Sequence, residues 1–130
     1  MQGNILVAED DKMNIKLIST ILKKWGISFD VAESGTQAFA LFEQKSYDMV
    51  LTDIHMPDGD GIWLTKSIRE YNDQAKSAIP VLAITANADQ KDLEEYTLIG
   101  MNDHITKPFT EQKLFDKISK NMNPVLPMEA

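Results

Sequence analysis

A doubly wound α/β domain built on a parallel sheet is what this chain predicts, and three observations carry that expectation. Short continuous apolar runs recur along it, as Ile5-Leu6-Val7-Ala8, Met49-Val50-Leu51 and Val81-Leu82-Ala83-Ile84. Runs of strand length bounded by turn residues read as strands buried on both faces, the situation in parallel sheets. Between them lie segments with apolar residues at helical spacing, so strands and helices alternate five times. The runs also lead into polar residues, Glu9, Asp53 and Thr85, at the carboxyl edge where open α/β sheets gather ligands and chemistry.

Each element has its own justification. The first strand, Ile5 to Ala8, is followed by Glu9-Asp10-Asp11 and then a helix with Asn14, Leu17, Ile18, Ile21, Leu22 and Trp25 on one face, stopped by Gly26. Met13 and Ile15 flank that stripe and are expected to be partly buried or to touch a partner, while Asp11 reads as a cap or surface residue. Ser28-Phe29-Asp30-Val31-Ala32 is the second strand. Ser34 and Gln37 make a capping box for a helix with Ala38, Leu41 and Phe42 inward. The third strand ends at Asp53 and enters Pro57-Asp58-Gly59-Asp60-Gly61, where aspartates serve turn geometry and stay outside the site. Leu64, Thr65 and Ile68 mark a third helix running to about Asn72, with Trp63 expected to lie flat over its own helix. Pro80 precedes the fourth strand, which ends in Thr85. Asp89 caps a fourth helix anchored only by Leu93 and Tyr96, and Gly100 closes it. His104-Ile105-Thr106 is a short fifth strand, and Thr110 caps a last helix anchored by Leu114, Phe115 and Ile118. Residues 1–122 thus form one domain with five helices, and residues 123–130 read as a tail or the start of a linker. Right-handed crossovers favour the strand order 2-1-3-4-5 of a flavodoxin-like sheet.

Bulk properties exclude several function classes. At 130 residues the chain is one domain, able to bury about two thirds of its unfolded surface without staples. The net charge of -7 and a pI near 4.7 argue against nucleic acid or an anionic membrane as a direct partner, since both demand a basic face. Without cysteine there are no disulfides and no thiolate metal sites. No apolar run approaches a membrane span and no signal peptide is evident, so a cytoplasmic location is expected.

The predicted order sets the first and third strands side by side. Glu9, Asp10 and Asp53 then meet at one edge, with Thr85 and Lys107 arriving from the strands beyond. Two unit charges about 4 Å apart repel by roughly 4 kcal/mol at an effective dielectric near 20. The cluster must therefore protonate or bind a cation. An all-oxygen donor set favours Mg2+, or Mn2+ as a substitute, and Mg2+ leaves positions open for a phosphate. With the metal and Lys107 balancing charge, Asp53 becomes a candidate nucleophile for an aspartyl-phosphate reaction.

These residues also carry a resemblance. The acidic pair Glu9-Asp10, Asp53 followed by Met56-Pro57 and Asp60-Gly61, Thr85-Ala86, and Lys107-Pro108-Phe109 are similar to the receiver domains of two-component response regulators. The similarity spans about Asn4 to Asn121. Ile84-Thr85-Ala86-Asn87-Ala88, Gly100-Met101-Asn102-Asp103 and Asn14 further resemble receivers carried by hybrid sensor histidine kinases. The resemblance implies that Asp53 accepts a phosphoryl group from phosphohistidine on a histidine kinase or phosphotransfer domain. It implies that Glu9, Asp10, Asp53 and the backbone carbonyl of His55 hold the metal. Thr85 and Lys107 would contact the phosphoryl group, and the Lys107-Pro108 bond would be cis. Such a domain is a signalling module with intrinsic self-phosphorylating and dephosphorylating chemistry.

At the family's switch position, three before the lysine, this chain carries His104 where Tyr or Phe is common. Imidazole is smaller and titrates near neutrality. Thr85 and His104 are the expected switch pair, with pH modulating the response. A stand-alone single-domain regulator is the alternative context. An aspartyl-phosphate phosphatase of the haloacid-dehalogenase kind is disfavoured, because those place the nucleophile after the first strand in an Asp-x-Asp pattern. A flavin-phosphate loop is disfavoured by the charge of Glu9-Asp10-Asp11.

Overall fold

A computed structural model of the chain describes residues 3–86 and 89–122. The five strands are β1 (Asn4–Ala8), β2 (Ser28–Ala32), β3 (Met49–Asp53), β4 (Val81–Thr85) and β5 (Asp103–Thr106). The helices are α1 (Lys12–Lys24), α2 (Gly35–Gln44), α3 (Gly61–Arg69), α4 (Gln74–Ser77), α5 (Gln90–Leu98) and α6 (Glu111–Asn121). All pairings are parallel, and the order is β2-β1-β3-β4-β5, as the sequence predicts.

Strand alternation splits the core into two layers. Ile5, Val7, Met49, Leu51, Leu82, Ile84 and Ile105 face α1 and α6, meeting Ile18, Ile21, Leu22, Leu114 and Ile118. Leu6, Ala8, Val50, Val81 and Ala83 face the other way, toward Phe42 of α2, Leu64 and Ile68 of α3 and Tyr96 of α5. The three central strands are buried on both faces, which is why they read as unbroken apolar runs.

The helix starts follow capping chemistry. Asp11, Ser34, Asp60, Asp89 and Thr110 each accept a backbone N–H from the first turn of the helix they precede. Asp73 does the same for α4, a sixth helix where the sequence predicts five. Its single turn buries no residue, so it left no apolar period to read. Three packing expectations are also corrected. Trp63 does not lie over its own helix; its ring meets Phe39 of α2 edge-on, with centroids 5.9 Å apart. Met13 is exposed rather than partly buried, whereas Ile15 is half-buried. Leu17 and Phe115 sit at the solvent margins of their stripes. The expected tail, residues 123–130, lies outside the described residues.

The amino edge of the sheet is clasped by one cation. Arg69, at the end of α3, donates to the carbonyls of Gly100, Ser77 and Ile79 and to Oδ1 of Asn102, at 2.7–3.0 Å. Asn102 Oδ1 also accepts the Val81 N–H at 2.9 Å, so the guanidinium ties together the starts of β4 and β5. Burial holds its pKa below the usual arginine value. Hydrogen bonds to a charged group are each worth about 1.5–3 kcal/mol. Arg69→Ala is therefore expected to destabilise the fold by about 3 kcal/mol in urea unfolding. Arg69→Lys should recover only a minor part, since an ammonium cannot span the fork.

Candidate functional site

The opposite, carboxyl edge holds the polar residues. Ala8 pairs with Thr52, so Glu9 and Asp53 leave adjacent strands together. The Glu9 N–H donates to the Ala32 carbonyl at 2.9 Å, which fixes the backbone as it leaves the sheet. Asp53 pairs with Ile84, one residue before Thr85. Lys107 is tied in by its own N–H, which donates to the Thr85 carbonyl at 2.8 Å. The Lys107-Pro108 bond is cis. Gly61 begins α3 directly against the Asp53 backbone, where a Cβ would stand 2.3 Å from the Asp53 carbonyl oxygen. A side chain there would push the helix off the strand end.

Lys107 Nζ donates to Asp53 Oδ2 at 3.0 Å and lies 3.7 Å from Glu9 Oε1. Carboxylate oxygens of Glu9, Asp10 and Asp53 all come within 4.8 Å of one another. Glu9 is fully buried, Asp53 and Thr85 nearly so, and Asp10 is exposed, so the cluster opens to solvent on the Asp10 side. Glu9 Oε2 accepts the Asp11 N–H at 3.1 Å, but Oε1 is buried with no hydrogen-bond donor among the described residues. A buried, unsatisfied anionic oxygen beside two further carboxylates is the arrangement a hard divalent cation completes. The donor set thus fits Mg2+, with Glu9, Asp10 and Asp53 as the residues able to hold it.

Electrostatics agree with the geometry. Burial, helped by the Asp53 charge, pushes the Glu9 carboxyl up from its ordinary 4.5 to about 7, against the Asp11 N–H and the Lys107 ammonium. Burial also works against the Lys107 ammonium, yet the Asp53 hydrogen bond and the Asp53 and Glu9 charges outweigh it and hold its pKa above the ordinary value.

Of the residues singled out from sequence, Glu9, Asp10, Asp53, Thr85 and Lys107 thus reach one edge. The His55 side chain is exposed in the loop after β3, and Asp58 and Asp60 serve the turn, with Asp60 capping α3. His104 is not in the carboxylate cluster. It pairs with Ala83 and lines a cleft of about 230 Å3 with Leu93, Tyr96 and Thr97 of α5. Burial and the nearby Lys117 ammonium lower its pKa, over the opposing pull of Asp103. Asp103 is a residue the pattern alone did not single out for a structural task. It accepts from Lys117 Nζ at 2.8 Å and Asn121 Nδ2 at 3.0 Å, fastening α6 to β5.

The raised Glu9 pKa makes a linkage prediction. Between pH 4.5 and about 7 the folded chain keeps a proton that the unfolded chain has released. The Glu9 contribution is thus fully present below 4.5 and is lost as pH rises through about 7. In chelator, the wild type should lose about 1–3 kcal/mol over that interval relative to Glu9→Gln, measured by urea unfolding. Saturating Mg2+ should restore wild-type stability at neutral pH and do much less for the variant.

Comparison with known proteins agrees with this edge. The family model for the response regulator receiver domain matches residues 5–119. Among curated relatives, probable histidine kinase 4 of Oryza sativa subsp. japonica is 35% identical over 93% of this chain. Hybrid signal transduction histidine kinase I of Dictyostelium discoideum is 38% identical over 88% of it. The chain spans only 14% and 7% of those two proteins. The crystal structure of the receiver domain of sensor histidine kinase PA1611 from Pseudomonas aeruginosa PAO1, with a magnesium ion coordinated in its active-site cleft, is 32% identical. It superposes with a TM-score of 0.84, covering 94% of this chain and 98% of that one. Five parallel strands in this order, an acidic cluster facing a lysine and a family match over nearly the whole length lead to one assignment: the chain belongs to the response regulator receiver domains, the phosphorelay modules of two-component signalling.

Proposed function

We propose that Asp53 is the phosphoacceptor of this receiver, in a Mg2+-dependent reaction with phosphohistidine on a histidine kinase or phosphotransfer domain. The observation that carries this reading is Lys107 Nζ at 3.0 Å from Asp53 Oδ2, beside the Glu9-Asp10-Asp53 cluster. An Asp53 carboxylate oxygen attacks phosphorus, the O–P bond forms as the N–P bond to the donor imidazole breaks, and the electron pair leaves with that nitrogen. Glu9, Asp10, Asp53 and the His55 carbonyl would hold Mg2+, which would supply charge neutralisation for the phosphoryl oxygens. Lys107 adds a second positive charge, and Thr85, on the adjacent strand end, donates its hydroxyl. Water attack on the acyl phosphate returns the free carboxylate. The kinase identity of the relatives supports a place within a hybrid sensor histidine kinase, on its cytoplasmic side.

Thr85 and His104 form the proposed switch. Both lie on the α5 face of the sheet, since Ala83, two residues before Thr85, is the partner of His104. Moving a two-state element from 1:99 to 99:1 takes about 5.5 kcal/mol. Two charge-assisted hydrogen bonds from Thr85 and Lys107 offer roughly 3–6 kcal/mol. The responding element is α5, which buries only Tyr96 among its nine residues.

Acetyl phosphate with Mg2+ should add one phosphoryl group to the wild type by intact mass, and none to Asp53→Asn. Thr85→Ala and Lys107→Ala should each slow that gain by about 10²-fold. In NMR titrations His104 should titrate below the ordinary histidine value, and beryllofluoride with Mg2+ should shift both its pKa and its ring resonances. An unchanged ring environment would count against its role.

A further inference from the structure

The loop after β3 is pinned at both ends. At its start the Ile54 N–H donates to the Ile84 carbonyl at 3.3 Å, and the Ile54 carbonyl accepts the Gly61 N–H at 2.8 Å. At its far end the carbonyls of Gly59 and Asp58 accept the Gly35 and Thr36 N–H groups, at 2.8 and 2.9 Å. Those donors are the first two residues of α2, whose helix dipole favours carbonyl oxygens there. His55, Met56 and Pro57 hang between the two pins.

The far pin is also a steric clamp. A Cβ on Gly35 would lie 2.1 Å from the Gly59 carbonyl oxygen and 2.6 Å from its carbonyl carbon. On its other side Gly59 is backed by Trp63, whose ring would stand 2.8 Å from a Gly59 Cβ. Trp63 in turn is braced by Phe39 of α2. Gly59 has φ +90° and Asp58 φ 54°, so the backbone of the loop tip is already in the left-handed region and has little room to yield. Gly35 itself has no positive φ, so alanine fits its backbone and improves helix propensity. The pressure against a side chain at position 35 therefore comes from the loop.

We propose that Gly35 is a positioning residue for the cation site, holding the 54–60 loop at the depth that sets the His55 carbonyl. This rests on the reading of that carbonyl as a metal ligand. A methyl group at position 35 meets backbone rather than a flexible side-chain end, so it moves the loop tip, and the displacement passes to the residues between the pins. Groups that orient metal ligands without touching the ion are typically worth 10–100-fold in affinity.

Calorimetric titration with Mg2+ tests this on wild type, Gly35→Ala and Thr36→Ala. Thr36→Ala keeps the N–H and removes only an exposed hydroxyl that faces Ser34 Oγ at 3.3 Å, so it should bind Mg2+ as the wild type does. Gly35→Ala should retain a cooperative fold in chelator and bind Mg2+ about tenfold more weakly, with the His55 and Asp58 amide resonances displaced. Equal affinity in a folded Gly35→Ala, or an equal loss in Thr36→Ala, would overturn the inference while leaving the metal site standing. No Mg2+ binding by wild type would overturn the underlying site reading as well. Should Gly35→Ala not fold, Thr36→Pro decides: it removes one pin without adding bulk at Gly59, and unchanged affinity there overturns the proposal.

Discussion

Everything at the carboxyl edge follows from an unbalanced charge count. Three carboxylates come within 4.8 Å of one another and, among the described residues, a single ammonium answers them, 3.0 Å from Asp53 and 3.7 Å from Glu9. One of those carboxylates is buried with an oxygen that accepts no hydrogen bond among the described residues. Such a cluster costs the fold stability at neutral pH and persists only because something else is gained. The gain is a place where a divalent ion and a transferring phosphoryl group complete what the protein leaves incomplete. Lys107 is the counter-ion to Asp53 in the structure, and in the proposed reaction it becomes the partner of the phosphoryl group.

The two edges of the sheet make a deliberate contrast. At the amino edge Arg69 is a half-buried cation whose donors are met by carbonyls and Asn102, and it locks α3, α4 and the starts of β4 and β5 together. Satisfied polar networks of that kind rigidify. At the carboxyl edge the network is short of positive charge, and the loop that borders it is held by backbone contacts from α2. Stability is concentrated where no chemistry occurs, and the unmet charge sits where it does. α5, with one buried side chain, lies between the His104 cleft and solvent and is the least anchored of the helices longer than one turn.

Much of this was legible in the sequence because it depended on local signals. The apolar runs of β1, β3 and β4 marked the buried strands, and their polar ends placed Glu9, Asp53 and Thr85 on one edge once the strand order was known. Caps at Asp11, Ser34, Asp89 and Thr110 were visible for the same reason. What escaped depended on which side of an element faces which neighbour. Trp63 turns toward Phe39 because Gly59 leaves room beneath its ring, a tertiary fact without a sequence period. The one-turn α4 has no buried residue, so only its Asp73 cap betrays it. The clamp of Gly35 on Gly59 was equally hidden, since a glycine inside a capping box looks like ordinary turn chemistry until the loop it touches is seen.

The account stands on which atom receives the phosphoryl group. Treatment with a phosphodonor and Mg2+, followed by borohydride reduction and peptide mass mapping, reads that atom directly, because an acyl phosphate is reduced to an alcohol and a phosphoimidazole is not. Homoserine at position 53, and nowhere else, is the predicted result. Phosphorylation without reduction at that position, or a label retained on His55 or His104, would contradict it.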